Sequence, residues 1–230
     1  VSRADGGAFG GNISTSGTLT ATGGIVSPVT INGTTPTLTI GDAGAEDAKI
    51  VFDGNAVDYH VGLDDSTDLL TIGKGSALGT TAHMTFNADG EILKPLQPAF
   101  SAKPSGDQSN ISNAAVIVFD SEIYDVGANF ASNTFTAPVT GKYQLSVRVY
   151  VQNIDSSNAY VQVNLTTSNR GYFIIFDPDF GQDPVYWTLS FSELVDMDAN
   201  DTAIVNWYQS GGATQADINS SSLFSGFLAC

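Results

Sequence analysis

The sequence predicts an all-β fold, a trimeric β-rich fibre shaft segment followed by a jelly-roll β-sandwich knob. Three observations carry this expectation. Apolar and polar residues alternate with period two over long stretches of the C-terminal half, the pattern of strands with one buried face. Segments rich in Gly, Asn, Asp, Ser and Pro punctuate those stretches at even spacing, as in sandwiches and jelly rolls. A short motif recurs in the N-terminal half, and no helical period occurs anywhere.

Residues 1–30 are low in complexity. The run Gly10-Gly11-Asn12-Ile13-Ser14-Thr15-Ser16-Gly17-Thr18-Leu19-Thr20 alternates weakly, too weakly to bury a core by itself. An extended linker, or an anchor onto a neighbouring protein, is expected there.

Residues 31–97 are the expected shaft. Leu38-Thr39-Ile40-Gly41 recurs as Leu70-Thr71-Ile72-Gly73, and Ala48-Lys49-Ile50-Val51-Phe52-Asp53 recurs loosely as Ala82-His83-Met84-Thr85-Phe86-Asn87. Between them Asp58-Tyr59-His60-Val61-Gly62-Leu63-Asp64-Asp65 reads as a further strand and turn. Two such units of about thirty residues make a poor core for one chain, because small units bury too little of their surface. Association of three copies, intertwined or side by side, is therefore expected. Pro95 and Pro98 bracket the junction and each removes a backbone donor.

Residues 98–230 are the expected knob. In 142–152, Tyr143, Leu145, Val147, Val149 and Val151 share one face, and Gln144, Ser146, Arg148, Tyr150 and Gln152 share the other. The same alternation places Val161, Val163 and Leu165 together, then Trp187, Leu189 and Phe191, then Ala203, Val205 and Trp207. A closing strand is expected over Leu223–Leu228. Turns are expected at 153–158, 168–171, 177–184, 199–201 and 210–222.

The formal net charge is −16, shared by both halves. Such a chain lacks the Lys and Arg clusters that neutralise phosphates, so nucleic acid is excluded as a partner, and anionic membrane surfaces with it. No apolar run approaches the ~18 residues of a spanning helix, so membrane insertion is not expected. The single cysteine, Cys230, excludes an intramolecular disulfide. No signal peptide is legible in residues 1–24, and the first residue, Val1, points to a processed or trimmed chain.

Several elements of the second part carry a family likeness. Phe100-Ser101-Ala102 opens it, Val116-Ile117-Val118-Phe119-Asp120 and Asn129-Phe130 follow, then Thr134-Phe135-Thr136-Ala137-Pro138-Val139-Thr140-Gly141-Lys142-Tyr143. Asp201-Thr202 precedes a Val-Trp strand, and Ser221-Ser222-Leu223-Phe224-Ser225-Gly226-Phe227-Leu228 closes the chain. In order and spacing these resemble the C1q globular-head domain of the tumour-necrosis-factor-like superfamily. The resemblance implies a ten-stranded jelly roll, tight homotrimers, and a binding or scaffolding role without catalysis. The collagen stalk usual in animal members is missing. Ile50-Val51-Phe52-Asp53-Gly54-Asn55 and Leu63-Asp64-Asp65-Ser66-Thr67-Asp68 instead resemble repeat segments of marine bacteriophage tail and neck fibres. That second resemblance implies a virion structural fibre protein on the particle surface. Its knob would attach to a host-surface glycan or protein, and its N-terminal segment would join other virion proteins. A head fibre or capsid decoration protein without receptor role, and a secreted C1q-like lectin, are the alternatives.

No nucleophile pattern accompanies either histidine, His60 or His83, so no enzyme activity is expected and no catalytic residue is named. Recognition by loop residues on a rigid scaffold is the expected chemistry, with Asn153, Asp155, Phe180, Gln182 and Gln215 as the candidate contacts, and Tyr172 and Tyr186 beside them. Three acidic clusters offer oxygen ligands, at 64–68, at 177–183 and at 196–201, and none has the spacing of an EF-hand loop. Calcium near the trimer apex of some relatives singles out Asp177, Asp179 and Asp183 as a candidate calcium site. Otherwise no cofactor is expected.

Overall fold

The computed structural model describes residues 28–230. The chain divides into two compact units, Val1–Asp42 and Ala43–Cys230. In the first, residues 28–42 are exposed and contain no strand. The expected strand at Leu38-Thr39-Ile40 is thus absent, while its counterpart at Leu70-Thr71-Ile72 is a strand. The motif is the same, but a strand exists only where a neighbour pairs with it. The anchoring segment expected at 1–30 lies almost wholly outside the described residues.

The second unit holds sixteen strands, and no helix occurs among the described residues. The first five are β1 (Ala48–Phe52), β2 (Tyr59–Asp64), β3 (Leu69–Lys74), β4 (Ala82–Phe86) and β5 (Ile92–Leu93), an antiparallel meander in that order. Short turns such as Asp65-Ser66-Thr67-Asp68 suit this, since Asp68 takes a φ of 56° that Asp tolerates better than most residues.

The remaining strands are β6 (Ala99–Lys103), β7 (Ser121–Val126), β8 (Phe130–Ala131), β9 (Thr134–Thr136), β10 (Gly141–Gln152), β11 (Asn158–Thr167), β12 (Gly171–Phe176), β13 (Tyr186–Met197), β14 (Thr202–Gly211), β15 (Asp217–Ile218) and β16 (Leu223–Leu228). They form two antiparallel sheets, one ordered β13-β10-β16-β6-β7 with β15 joined to β10, the other ordered β12-β11-β14-β9-β8. The jumps in that order are the crossovers of a jelly roll.

The alternation read from the sequence builds the core directly. Tyr143, Leu145, Val147, Val149 and Val151 of β10 face Val161, Val163 and Leu165 of β11 and Ala203, Val205 and Trp207 of β14, and all are buried. At one end Phe100 stacks with Phe130 and Phe135 at centroid distances of 4.9 and 4.7 Å and meets the edge of Phe224 at 5.0 Å. The polar tips of Tyr143 and Trp207 find partners in this core. The Tyr143 hydroxyl donates to the Val139 carbonyl at 2.7 Å, and burial raises its pKa above the ordinary value. Trp207 Nε1 donates to Gln209 Oε1 at 3.1 Å.

Two details lie beyond what the pattern specifies. Trp187 lies at the rim, 38% exposed, because the core side of β13 there meets the open edge of the sandwich; Phe176 and Phe180 stack on it instead. The segment at Val116-Ile117-Val118-Phe119-Asp120 buries Ile117 and Phe119 but makes only a single bridge, Val116 to Asn206; the paired strand is β7, which follows it.

Candidate functional site

The loops at 106–110, 153–158, 177–185 and 211–217 are tied to one another by side-chain hydrogen bonds at one end of the sandwich. Asn153 takes a φ of 55°, a conformation Asn tolerates, and turns the chain out of β10. Its Nδ2 donates to Asp217 Oδ2 at 2.9 Å, and Asp217 Oδ1 accepts the Asn110 amide at 2.8 Å. Asp183 accepts the amide and hydroxyl of Ser156 on Oδ1 at 2.9 and 2.8 Å, and Gln215 Nε2 on Oδ2 at 2.9 Å. Asp155 accepts the amides of Ala213 and Ser157. Four loops distant in sequence are thereby fixed by three carboxylates that accept six backbone and side-chain donors between loops and one within a loop.

Two of these carboxyls are held below the ordinary aspartate range. For Asp155 the main cause is the Ala213 amide, then that of Ser157. For Asp183 it is the Ser156 amide, then the Ser156 hydroxyl and Gln215. Both acids are therefore anionic acceptors at neutral pH.

A cleft of about 430 Å³ opens among these loops, lined by Ser109, Asn110, Asn153, Asp183, Gln215 and Asp217, with Val185 the one apolar wall. Fixed amides and carboxylates around an open cleft suit a neutral, hydroxyl-rich ligand, which both donates and accepts. A nucleophile paired with a base is not among its residues.

Of the recognition residues expected from sequence, Asn153 and Gln215 line this cleft, and Asp155 braces its wall from behind. Phe180 stands apart: it stacks on Phe176 at 6.0 Å and Trp187 at 5.1 Å. Gln182 is exposed on the same loop. Asp217, Asn110 and Ser109 were not expected. Asp217 reads in sequence as one more turn acid, and only its pairing with Asn153 gives it a role.

The three acids of the candidate calcium site, Asp177, Asp179 and Asp183, are not drawn together. Asp183 spends its oxygens on Ser156 and Gln215, and Asp177 Oδ1 accepts the Asp179 amide within its own turn. Among the described residues no group of three or more His, Cys, Asp or Glu side chains is placed to hold a metal ion. In the other two clusters, Asp64 accepts the Ser66 amide and hydroxyl, and Asp196 pairs with Arg170 at 3.0 Å. His60 is buried, with Nδ1 against the Gly75 carbonyl at 2.8 Å and Nε2 without a hydrogen-bond partner.

Comparison with known proteins adds the family. The C1q domain model matches residues 99–229. Among solved structures, the globular domain of zebrafish complement 1qA is similar at 19% identity and a TM-score of 0.45, over 58% of this chain and 98% of that one. Murine APRIL is similar at 11% identity and a TM-score of 0.43, over 57% and 98%. Eiger TNF from S. frugiperda is similar at 12% identity and a TM-score of 0.41, over 59% and 92%. No curated protein sequence matches. With more than half of its residues matched by the family model, the chain belongs to the C1q domain family.

Proposed function

We propose that the chain is a non-catalytic, homotrimeric structural and attachment protein: a bacteriophage virion fibre whose C1q domain presents three equivalent loop clefts to a host-surface glycan or protein. C1q-like domains commonly form homotrimers and are generally binding domains rather than enzymes. The observation that carries the reading is the union, in one compact unit, of a C1q domain with a preceding five-stranded meander. The likeness of 50–55 and 63–68 to phage fibre repeats supports reading that meander as a shaft on a virion.

The outward face of the β13-β10-β16-β6 sheet supports self-association. Ser192, Ser146 and Ser225 stand in register across β13, β10 and β16, with Ser101 of β6 next in the row and buried. Small uncharged side chains let the backbones of neighbouring copies approach closely. The loop cleft supports a polar ligand, bound weakly at each site and strengthened by three-fold presentation. No cofactor has a part in this reading. Residues 1–30 are the segment through which the fibre joins other virion proteins.

Two measurements test it. Light scattering on the purified protein should give three times the 24.0 kDa chain mass. Preincubating host cells with the protein should block adsorption of a phage that carries it, and Asn153→Ala or Gln215→Ala should weaken the block. A trimer that blocks nothing, seen on the capsid by imaging, would leave a head fibre or decoration protein. Family membership itself favours a second reading, a secreted C1q-like lectin. A trimer that binds glycans and is found on no particle would favour it.

A further inference from the structure

We propose that the β1–β5 sheet walls a three-chain core, its apolar face packed against the same face of two further copies of this chain. This rests on the homotrimer reading above and names the surface that the shaft would use.

The cross-strand register sorts the sheet into two unlike faces. On one, Ala48, Leu63, Leu70, Phe86 and Ile92 form a row across all five strands. Beside it Ile50, Val61, Ile72 and Met84 form a second row across four. Phe52 and Tyr59 extend the face, and Lys74 at its rim is the only charge on it. Much of this face is open: Ile50 is 44% exposed, Leu63 47%, Leu70 42% and Ile92 55%, while Ala48, Val61, Met84 and Phe86 are half-buried.

The other face is polar and buried at its centre, with Val51 and Leu93 exposed toward its edges. It carries His60, Asp64, Thr71 and Thr85, none more than 7% exposed. The loop at 75–81 folds over it, with the Gly75 carbonyl on His60 and Leu78 tucked in at 8% exposure. Thr71 Oγ1 donates to the Gly62 carbonyl. A single chain thus covers the polar centre of one face and leaves most of the apolar face to solvent, the reverse of what burial favours. Five strands at about 4.8 Å spacing and two to three rows of side chains give a patch on the order of 300 Å², the scale at which exposed apolar surface marks an interaction site.

Charge argues that the occupant is the same chain. The acids of this region, such as Asp53, Asp58, Asp65, Asp68 and Glu91, lie outside the two rows. Copies with a net charge of −16 can approach through this face without bringing carboxylates together, and the face has no acid to attract a basic partner. Any three-fold axis that relates the C1q domains also relates the sheets, since both belong to one compact unit.

The test uses the full chain with Cys230→Ser, so that an added Ile72→Cys is the only thiol, and Lys49→Cys on the opposite face as its control. Mild oxidation should link at most two of every three chains through Cys at 72 and none through Cys at 49, in a protein of trimer mass. Leu70→Lys should lower the melting temperature of the assembly and raise binding of an apolar-surface dye. A trimer that does not link at 72 and binds the dye before substitution overturns this inference and leaves the homotrimer standing. So does a trimer that links at neither position because another stretch of chain or a foreign protein covers the face. A monomer overturns both.

Discussion

At Gly226 the closing strand lies closer to its neighbours than any side chain permits. A Cβ there would sit 2.4 Å from Cδ2 of Leu145 and 3.0 Å from the Gln144 carbonyl oxygen. Both belong to β10, the strand that carries most of the core, so little can yield. Gly226→Ala is expected to cost about 1–3 kcal/mol, the range for overpacking, and to lower the melting temperature accordingly. An unchanged transition would show that β16 shifts freely. The carboxylates of the loop network are legible in a titration. Because the folded-state pKa values of Asp155 and Asp183 are depressed, their contribution is present above the ordinary aspartate value and is lost as pH falls through the depressed one. The amide resonances of Ala213 and Ser156 should therefore move with midpoints below the ordinary aspartate range, and Asp155→Asn or Asp183→Asn should flatten the respective curve. Midpoints at the ordinary value would mean that the loops are not tied in solution.

At the scale of the element, β10 shows how far pattern alone reaches. Its odd-numbered residues from Tyr143 to Val151 are buried and its even-numbered ones half-buried or exposed, as period two requires. Leu145→Ala should cost about 2–5 kcal/mol through lost burial and a residual cavity, while Ser146→Ala, one residue on, should stay within about 0.5 kcal/mol. Equal effects on chemical denaturation would undo the facing assigned here. Strands of this kind were readable because each carries its own signal. Leu38-Thr39-Ile40 was misread, since the motif specifies the capacity to pair and not the presence of a partner. Trp187 keeps the face that alternation gives it, opposite Val151, and still lies at the rim, because alternation reports a face and not where that face ends. The cleft was half readable: Asn153 and Gln215 stood out as loop amides, but Asp217 and Asn110 are joined to the site only by folding, across 107 residues in the case of their own contact. The acids at 177–183 looked like one cluster in sequence, and the fold sends Asp183 to Ser156 and Gln215, away from Asp177.

At the scale of the whole molecule, charge and association pull in opposite directions. Each chain carries −16, so assembly into the proposed homotrimer sets copies of like charge against one another, and surfaces free of carboxylates keep that repulsion lowest. The register supplies two such surfaces, the serine row of the β13-β10-β16-β6 sheet and the apolar rows of the β1–β5 sheet. The ion pair of Arg170 with Asp196 lies within a chain. Salt should therefore act on the assembly mainly by screening net repulsion, whose range falls from about 30 Å at 0.01 M to about 10 Å at 0.1 M. The melting temperature of the trimer should rise with sodium chloride over that interval and then level off, since burial of apolar and small polar surface depends little on modest salt. A trimer joined by ion pairs between chains would behave in the opposite way, losing stability as salt is added. The sign of that slope, read by light scattering during a thermal ramp, separates an uncharged interface from a charged one.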